Sequence, residues 1–531
     1  IPEGATEITS DMLPLVDLDE AEIERIVAAV PGGAADIADI YPLAPLQEGI
    51  FFHHLLHAGS GADVYASPTV VGFDSRTLLD DFLAALQQVV DRHDIYRTAI
   101  VWEGLREPVQ VVQRHAELPV DEVALDPLGA DPVDQLMSLD GAWMDLGRAP
   151  LIQVHTALTP GGDGRWLALL RIHHMVQDHT TLDVLLAELG AFMSGRGETL
   201  PEPLPFRTFV AQARLGVRRE EHERYFAGLL GDVTETTAPY GLLDVRGDGS
   251  GVERARLNVD LELATETRKL ARRLGVSAAT VFHLAWARVL AAVSGRDDVV
   301  FGTVLFGRVN AGVGSDRVPG LFINTLPVRV RGDSSGVRDA LTGLHDQLAE
   351  LLVHEHAPLA LAQQVSGVPG DAPLFTSLFN YRHNQSVPRT ATEGGGTGLE
   401  GIRTLVNREG TNYPVTAAVD DNGTDFVLSV EAVAPADPDQ MCALLHTALR
   451  SLVGALGEDP DIRLGALNVL DPAGRRQMLE EWNDTAGELP GMLVPELFAV
   501  RVVADPDAVA VVCDGVEVSY GELEVRANRL A

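Results

Sequence analysis

The chain has 531 residues, of which 46% are hydrophobic and 22% charged, so it has an ordinary globular composition and a length for roughly two to four folding units. Its formal net charge of −37 argues against a nucleic-acid partner, because phosphate binding requires clustered lysine and arginine. No run reaches the roughly 18 apolar residues of a membrane helix.

The two cysteines, Cys442 and Cys513, lie far apart and have no metal-ligand spacing. They exclude a disulfide framework and favour a reducing, cytoplasmic setting. The N-terminus lacks the basic start and apolar core of a signal peptide. Because the sequence starts and stops in mid-pattern, we expect a piece of a longer protein.

The first half of the chain alternates between helix and strand patterns. Residues 1–37 are acidic, with one helix-like stretch at Asp19–Val30, and are predicted to be a linker. Apolar residues at helical spacing predict a helix over Leu78–His93, and the continuous apolar run Trp166–Ile172 predicts a buried strand. A further helix is predicted over Thr180–Met193.

The second half repeats this alternation after a Gly-, Asp- and Thr-rich connection at 235–251. The patterns predict a strand at Ala255–Leu261, a helix at Leu263–Leu274, a buried helix at Ala278–Val293 and a strand at Val299–Leu305. A second connection is predicted at 390–401, and a new unit begins near residue 490. The whole predicts a mixed α/β fold.

The residues with the clearest potential for chemistry follow the predicted strand Trp166–Ile172. His173 and His174 are adjacent, and Asp178 stands just before the next helix, a position typical of active sites in α/β folds. Asp178 also has a structural interpretation as the N-cap of that helix. By itself, an adjacent histidine pair is more often structural than catalytic.

The pattern His-His-x-x-x-Asp at 173–178 resembles the active-site motif of the condensation domains of nonribosomal peptide synthetases and of the wider acyltransferase superfamily that includes chloramphenicol acetyltransferase. Other segments resemble further condensation-domain motifs, in family order. They are Tyr41–Gly49, Arg92–Thr98, Tyr225–Leu230, Gly307–Asn310 with Val318–Arg329, His356–Leu359 and Leu374–Tyr381. Each is weak alone, but the ordered set is specific.

The C-terminal part resembles a different domain. Val494–Phe498, Val518–Leu523 and Ala527–Ala531 resemble the first motif of adenylation domains. The resemblance therefore implies a linker after an upstream carrier domain (1–37), the N-terminal lobe (38–215) and C-terminal lobe (216–475) of a condensation domain, and a linker with a truncated adenylation domain (476–531).

The resemblance implies two chloramphenicol-acetyltransferase-like lobes that form a V-shaped pseudo-dimer with a tunnel at their junction. The implied activity is peptide-bond formation between donor and acceptor thioesters. Each would be carried on the 4'-phosphopantetheine of a carrier domain, and the domain itself would bind no cofactor. The implied partners are upstream and downstream peptidyl carrier domains and the adjacent adenylation domain, without nucleic acid or membrane. The excised chain is expected to be monomeric.

The resemblance also suggests roles for the motif residues. His174 would take the proton of the attacking amine or orient the amine, and His173 would be a buried neighbour. Asp178 would be structural, bridging to Arg92 or Arg97 of the second motif. Asn324, in the later motif, is grouped with these supporting residues. His179 is a departure, since the family motif usually has glycine there.

A second histidine pair, His53 and His54, resembles the extra motif of dual epimerization/condensation domains, which first invert the donor residue. In that motif a Gly-Asp pair follows, whereas here Gly61 and Asp63 are displaced by an insertion. The other interpretation is two packing or helix-surface histidines. We expect the dual subtype.

Three alternatives remain. A condensation domain without epimerase activity would accept its donor unchanged. A non-catalytic docking platform for the carrier tends to lose the second histidine, whereas His174 is present. A stand-alone coenzyme A acyltransferase would not carry the adenylation-like segment. No metal site is expected at His53, His54 and His57 or at His354 and His356, because neither group has metal-motif spacing.

Overall fold

The computed structural model describes residues 1–531 except 57–62, 64, 140–142, 162–163, 246–250, 309–313, 333–335, 384–399, 408–410, 489–490 and 514. His57, Gly61, Asn310 and most of the predicted connection at 390–401 therefore lie outside the described residues. The chain forms two compact units, Ile1–Val469 and Leu470–Ala531.

The strands in chain order are β1 (Ile37–Pro42), β2 (Ala66–Phe73), β3 (Thr98–Val101), β4 (Val109–Gln113), β5 (Val120–Glu122), β6 (Ile152–Leu158), β7 (Trp166–His173), β8 (Val252–Asn258), β9 (Asp298–Leu305), β10 (Asn324–Arg331), β11 (Ser377–His383), β12 (Ile402–Asn407), β13 (Val415–Asp421), β14 (Phe426–Val433), β15 (Val509–Cys513) and β16 (Val516–Ser519).

The α-helices are α1 (Glu20–Ala29), α2 (Pro45–Leu56), α3 (Arg76–Arg92), α4 (Pro132–Met137), α5 (His179–Met193), α6 (Arg207–Leu215), α7 (Arg219–Leu230), α8 (Leu261–Leu274), α9 (Ala278–Ser294), α10 (Val337–Val353), α11 (Leu359–Val365), α12 (Pro438–Glu458), α13 (Pro472–Arg476), α14 (Val494–Ala504) and α15 (Tyr520–Leu530). Each element predicted from apolar spacing is confirmed, with ends shifted by at most three residues.

A five-stranded sheet in the order β12-β2-β7-β6-β5 carries the histidine motif. Its strand β7 is buried along its whole length. Ala168, Leu170 and Ile172 belong to one core cluster, whereas Leu167 and Leu169 belong to another. Both faces of β7 are covered, which explains why its sequence is a nearly continuous run of apolar residues.

Strand β12 comes from the second half of the chain but completes this first sheet. It pairs antiparallel with β2, from Ile402 opposite Phe73 to Thr404 opposite Val71, and then shifts register before Val406. The two halves of unit Ile1–Val469 therefore share a sheet.

A six-stranded sheet in the order β10-β9-β11-β13-β14-β8 organises the second half. Strand β11 lies parallel to both β9 and β13, and the remaining pairs are antiparallel. Helix α9 packs against α12 and β9, and its residues from Thr280 to Leu290 are nearly all buried. This matches the predicted buried helix.

The acidic N-terminal segment is packed into unit Ile1–Val469. Asp19 and Glu22 form a capping box that starts α1. Ile23 and Ile26 of this helix pack in one cluster with Val109 of the three-stranded sheet β1-β4-β3. A segment with this much buried apolar surface is part of the folded unit, although composition alone indicated a linker.

The unit Leu470–Ala531 has its own small structure. Strands β15 and β16 form an antiparallel hairpin, and α15 follows with Ser519 as its N-cap. Among the described residues, no single helix is long and apolar enough to cross a bilayer. Helices α8 and α9 meet that criterion only as a pair, and they are bent by 109° at their break.

Candidate active site

The histidine motif lies where β7 gives way to α5. His173 is the last residue of the strand, His174 starts a short 3-10 turn, and Asp178 precedes the helix. The Asp178 carboxylate accepts hydrogen bonds from the backbone N–H and hydroxyl of Thr181, both at 2.8 Å. The predicted N-cap role of Asp178 is therefore confirmed.

Asp178 is also bound to the second half of the chain. Arg308 Nη2 donates to both carboxylate oxygens, at 3.0 and 3.1 Å, and the backbone N–H of Phe322 donates at 3.1 Å. Asp178 and Arg308 are only 2% and 5% exposed, so each needs the other to offset desolvation. The Arg308 guanidinium also lies 3.8 Å from the centre of the Phe322 ring.

The prediction that Arg92 or Arg97 pairs with Asp178 is wrong. Arg92 binds Glu188 and a backbone carbonyl, and Arg97 donates to the carbonyls of Gln113 and Arg114. Both guanidinium groups are engaged away from the motif. The actual partner, Arg308, stands in the segment Gly307–Asn310 that resembles the fifth motif. The motif resemblance of that segment was the one sequence feature that pointed to Arg308. Because the segment lies far from Asp178 along the chain, the sequence did not indicate that the two residues pair.

His173 is fully buried and in a defined tautomer. Its Nδ1 accepts the Met175 N–H at 3.1 Å, so its proton is on Nε2, which donates to Asp63 Oδ2 at 3.1 Å. Burial lowers the pKa of His173, and the hydrogen bond to Asp63 only partly opposes this shift. Because Nδ1 accepts an N–H, the His173 ring is a neutral imidazole, and it is buried as the sequence predicted.

His174 is half-buried and leaves one ring nitrogen for chemistry. Its Nδ1 lies 3.2 Å from the Gln177 carbonyl oxygen, which can only accept, so Nδ1 carries the proton. Its backbone N–H donates to the Tyr65 carbonyl at 2.8 Å. In the neutral ring, Nε2 therefore has the lone pair that a general base uses.

The second histidine pair lies near the end of α2. His54 is buried, stacks on Trp143 at 3.9 Å between ring centres, and donates from Nδ1 to Asp63 Oδ2 at 2.8 Å. His53 is half-buried, and its Nε2 lies 3.5 Å from the side-chain nitrogen of Asn412. Of the two structural interpretations, packing histidine or helix-surface histidine, the first applies to His54 because the residue is buried.

The two histidine pairs are brought together by Asp63 and Tyr65. Asp63 Oδ2 binds both His54 and His173. Burial by itself would raise the pKa of Asp63, but the hydrogen bonds from these two histidines hold it well below its usual range. In the sequence, Asp63 stands out only as a displaced motif residue, and no local pattern indicates either contact.

Tyr65 stands next to the remaining two histidines. Its ring centre lies 6.3 Å from that of His53 and 6.5 Å from that of His174. Its hydroxyl donates to Asn412 Oδ1 at 3.0 Å, and Asn412 donates in turn to the Val245 carbonyl. Residues from both halves of the chain therefore meet at this point.

Asn324 and His179 have other surroundings. Asn324 starts β10, and its side-chain nitrogen donates to the carbonyls of Glu355 and Ala357, each at 2.8 Å. It thus fixes the segment before α11, and the contacts described for it do not include the histidine motif. His179 begins α5, and its side chain lies outside the described part of the structure.

His54, Asp63 and His173 are also the one group of three metal-ligating side chains found among the described residues, with ligand atoms within 4.8 Å of one another. Their N···O separations of 2.8 and 3.1 Å are hydrogen-bond lengths, and one carboxylate oxygen serves both rings. The absence of a metal site remains a prediction.

The model of the condensation-domain family matches residues 37–479. The chain belongs to the condensation-domain family. Malpinin synthetase of Mortierella alpina is 45% identical over 99% of this chain, and a linear gramicidin synthase of Brevibacillus parabrevis is 30% identical over 100% of it. The chain spans only 7% of the length of each of these relatives.

Solved structures of nonribosomal peptide synthetases and of condensation domains resemble the fold of this chain. A four-domain nonribosomal peptide synthetase bound to AMP and glycine has a TM-score of 0.68 at 14% identity, covering 93% of this chain and 39% of that one. The first condensation domain of the calcium-dependent antibiotic synthetase, in complex with a substrate analogue, has a TM-score of 0.59 at 17% identity, covering 82% of this chain and 100% of that one. At these identities the likeness establishes the fold alone, and it confirms the predicted α/β class.

Proposed function

We propose that this condensation domain joins a carrier-bound donor aminoacyl or peptidyl thioester to a carrier-bound aminoacyl acceptor. The supporting observation is the geometry of His174, whose Nδ1 lies 3.2 Å from the Gln177 carbonyl oxygen, so that the lone pair of the neutral ring is on Nε2. Family membership supports the same activity. Both substrates would be carried on phosphopantetheine, and the domain would bind no cofactor of its own.

The proposed reaction makes limited chemical demands. The acceptor amine attacks the donor carbonyl, the C–N bond forms, the C–S bond breaks, and the donor carrier keeps the thiol. Free α-amines have a pKa of about 8, so much of the nucleophile is already neutral near pH 7. His174 Nε2 would accept the amine proton or hold the amine in attack geometry, and positioning by itself can supply several kcal/mol.

The test combines this chain with an upstream carrier bearing an L-donor and a downstream carrier bearing its amino acid. We expect a carrier-bound peptide by mass spectrometry, and a loss of about a hundredfold or more in rate with His174→Ala. His115→Ala, at an exposed position, is the control and should keep the wild-type rate. If no product forms while both carriers are loaded and bound, the docking-platform alternative replaces condensation.

We also propose that the domain inverts the donor residue before condensation. The observation that favours this activity is that two half-buried rings, His53 and His174, both lie next to Tyr65. Epimerization removes a proton from the carbon next to the thioester carbonyl and returns one, so it calls for a base and an acid. Two separate imidazoles could fill these roles.

Chiral chromatography of the same product tests the inversion. A peptide with a D-configured donor residue, lost with His53→Ala while total peptide is retained, supports dual activity. An all-L product from wild-type protein removes epimerization and leaves condensation.

We further propose the domain arrangement that the motifs imply, with lobes at 38–215 and 216–475 and the start of an adenylation domain within 476–531. The partners would be upstream and downstream carrier domains and the adenylation domain. The contacts of Asp178 and Arg308 support a structural role for these two residues at the site, whereas those of Asn324 support a role in fixing the segment before α11.

A further inference from the structure

The carboxylate of Asp63 links the two histidine pairs through hydrogen bonds. One oxygen, Oδ2, accepts from His54 Nδ1 at 2.8 Å and from His173 Nε2 at 3.1 Å. The residues His54, Asp63 and His173 are 4%, 8% and 0% exposed, respectively. This contact joins the end of α2 to the end of β7.

The other polar atoms of Asp63 fix the chain that follows. Oδ1 accepts the Tyr65 N–H at 3.0 Å, and the Asp63 carbonyl accepts the Ala66 N–H at 3.1 Å. The Tyr65 carbonyl then accepts the His174 N–H at 2.8 Å. Asp63 thus holds His173 directly and His174 through a single intervening residue.

The contacts of Asp63 also affect the two half-buried histidines, His53 and His174. His53 is the chain neighbour of His54, and His174 is the chain neighbour of His173. Since Asp63 binds His54 and His173, it sets the separation of the two backbone segments that carry His53 and His174. The Tyr65 ring centre lies 6.3 Å from that of His53 and 6.5 Å from that of His174, so both rings have Tyr65 as a neighbour.

We propose that Asp63 is a positioning residue that couples the two histidine pairs, and that this coupling is required for inversion of the donor more than for peptide-bond formation. The functional half of this inference rests on the proposed epimerization. Condensation needs one histidine beside one amine, whereas inversion needs two groups placed accurately on either side of one carbon.

Asp63→Asn is the principal test because it keeps the size of the side chain. If the amide oxygen faces the two imidazoles, the amide NH₂ meets the Tyr65 N–H, and if the amide is flipped, the NH₂ meets both imidazole N–H groups. Either orientation places donor against donor. We expect the D-configured fraction of the product to fall about tenfold and the total peptide to fall much less.

Glu188→Gln is the matched control. His93 Nε2 and Glu188 Oε2 form another buried histidine–carboxylate contact in the same part of the chain, at 2.8 Å. Glu188 is nine residues beyond His179 on α5, about 14 Å along the helix axis. This variant should lose stability comparably and keep the D-to-L ratio of wild type. An equal change of ratio in both variants would show a general effect of losing a buried carboxylate and would overturn the proposal.

A second pair of variants covers the case in which Asp63→Asn does not fold. His54→Gln retains a donor that can reach Asp63, whereas His54→Leu does not. The proposal requires the glutamine variant to retain clearly more of the D-configured product than the leucine variant. If both lose it equally, the His54 ring itself is needed, and the positioning role of Asp63 is wrong.

Nitrogen NMR of histidine-labelled protein tests the coupling without any turnover. In wild type we expect His173 as the Nε2–H tautomer and His54 with a protonated Nδ1, and in Asp63→Asn we expect both signals to shift together. If wild type makes only all-L peptide but the two signals shift together, the epimerization proposal fails and the coupling stands. Unchanged signals in folded Asp63→Asn protein would overturn the coupling, as would stoichiometric Zn²⁺ binding that depends on Asp63.

Discussion

Asp178 and Arg308 form a buried ion pair that joins the motif to the second half of the chain. Removing one member leaves the other charge without its partner in a desolvated place, which costs roughly 3–5 kcal/mol. We therefore expect Asp178→Ala to lower the free energy of unfolding by about that amount, measured by urea denaturation. Loss of activity should follow from loss of structure.

Asp183→Ala is the control for that prediction, because Asp183 lies on the same helix, α5, but is exposed. It should change the free energy of unfolding by less than about 0.5 kcal/mol. An Asp178→Ala protein that is as stable as wild type and yet inactive would contradict the structural role and indicate a direct part in the chemistry.

The sequence predicts the role of a residue well only where the residue that it contacts lies close by in the chain. The N-cap role of Asp178 follows from its place three residues before Thr181, and the burial of His173 follows from the apolar strand before it. The pairing with Arg308 and the link through Asp63 depend on segments that meet only in the folded chain. For that reason the prediction of Arg92 or Arg97 as the partner of Asp178 is wrong.

Helix α9 is expected to respond to pH because it carries the buried His283. His283 donates from Nδ1 to the Ala279 carbonyl and accepts from the Thr303 hydroxyl, each at 2.7 Å. Burial lowers the pKa of His283 to about 4 from 6.5. Between pH 4 and 6.5, His283 therefore binds a proton more readily in the unfolded chain than in the folded chain.

Because the unfolded chain binds the proton more readily, the folded state becomes less stable as the pH falls. The contribution of His283 to stability is complete above pH 6.5 and is lost as the pH falls towards 4, by up to about 3 kcal/mol. His283→Leu should flatten the decline of the unfolding free energy over this interval, as measured by urea titration at several pH values. His115→Leu, at an exposed position, should keep the full decline, and an unchanged slope in His283→Leu would contradict the assignment.

Apolar spacing was sufficient for most elements because each is read from local residues. Helix α3 buries one stripe and β7 buries both faces, and each leaves its own periodicity in the sequence. Strand β12 shows the limit, because its partner β2 lies over three hundred residues earlier and no local pattern specifies that pairing. The N-terminal segment shows the same limit, since the sequence predicts its helix but not the packing of that helix into the larger unit.

The whole chain divides at Val469, and this division makes a prediction about truncation. Residues 1–469 contain both large sheets and every residue assigned here to the site. We expect a chain ending at Val469 to unfold cooperatively at nearly the wild-type midpoint and to form peptide from the same loaded carriers. Circular dichroism and the carrier assay measure the two outcomes.

A comparison truncation at Gly401 should not fold, because it removes β12 from the first sheet and β13 and β14 from the second. If the chain ending at Val469 also failed to fold, the unit Leu470–Ala531 would be needed for the stability of the larger unit.

The sequence by itself determined the α/β class, the positions of the main elements, and the family through an ordered set of motifs. These depend on local periodicity and on residue types at fixed spacing, which the linear chain contains in full. Tertiary structure alone decided which polar side chains meet: Asp178 with Arg308, Asp63 with both His54 and His173, and Tyr65 with Asn412. A buried polar group must find its partner in space, and that partner can come from any segment that the fold brings within hydrogen-bond distance.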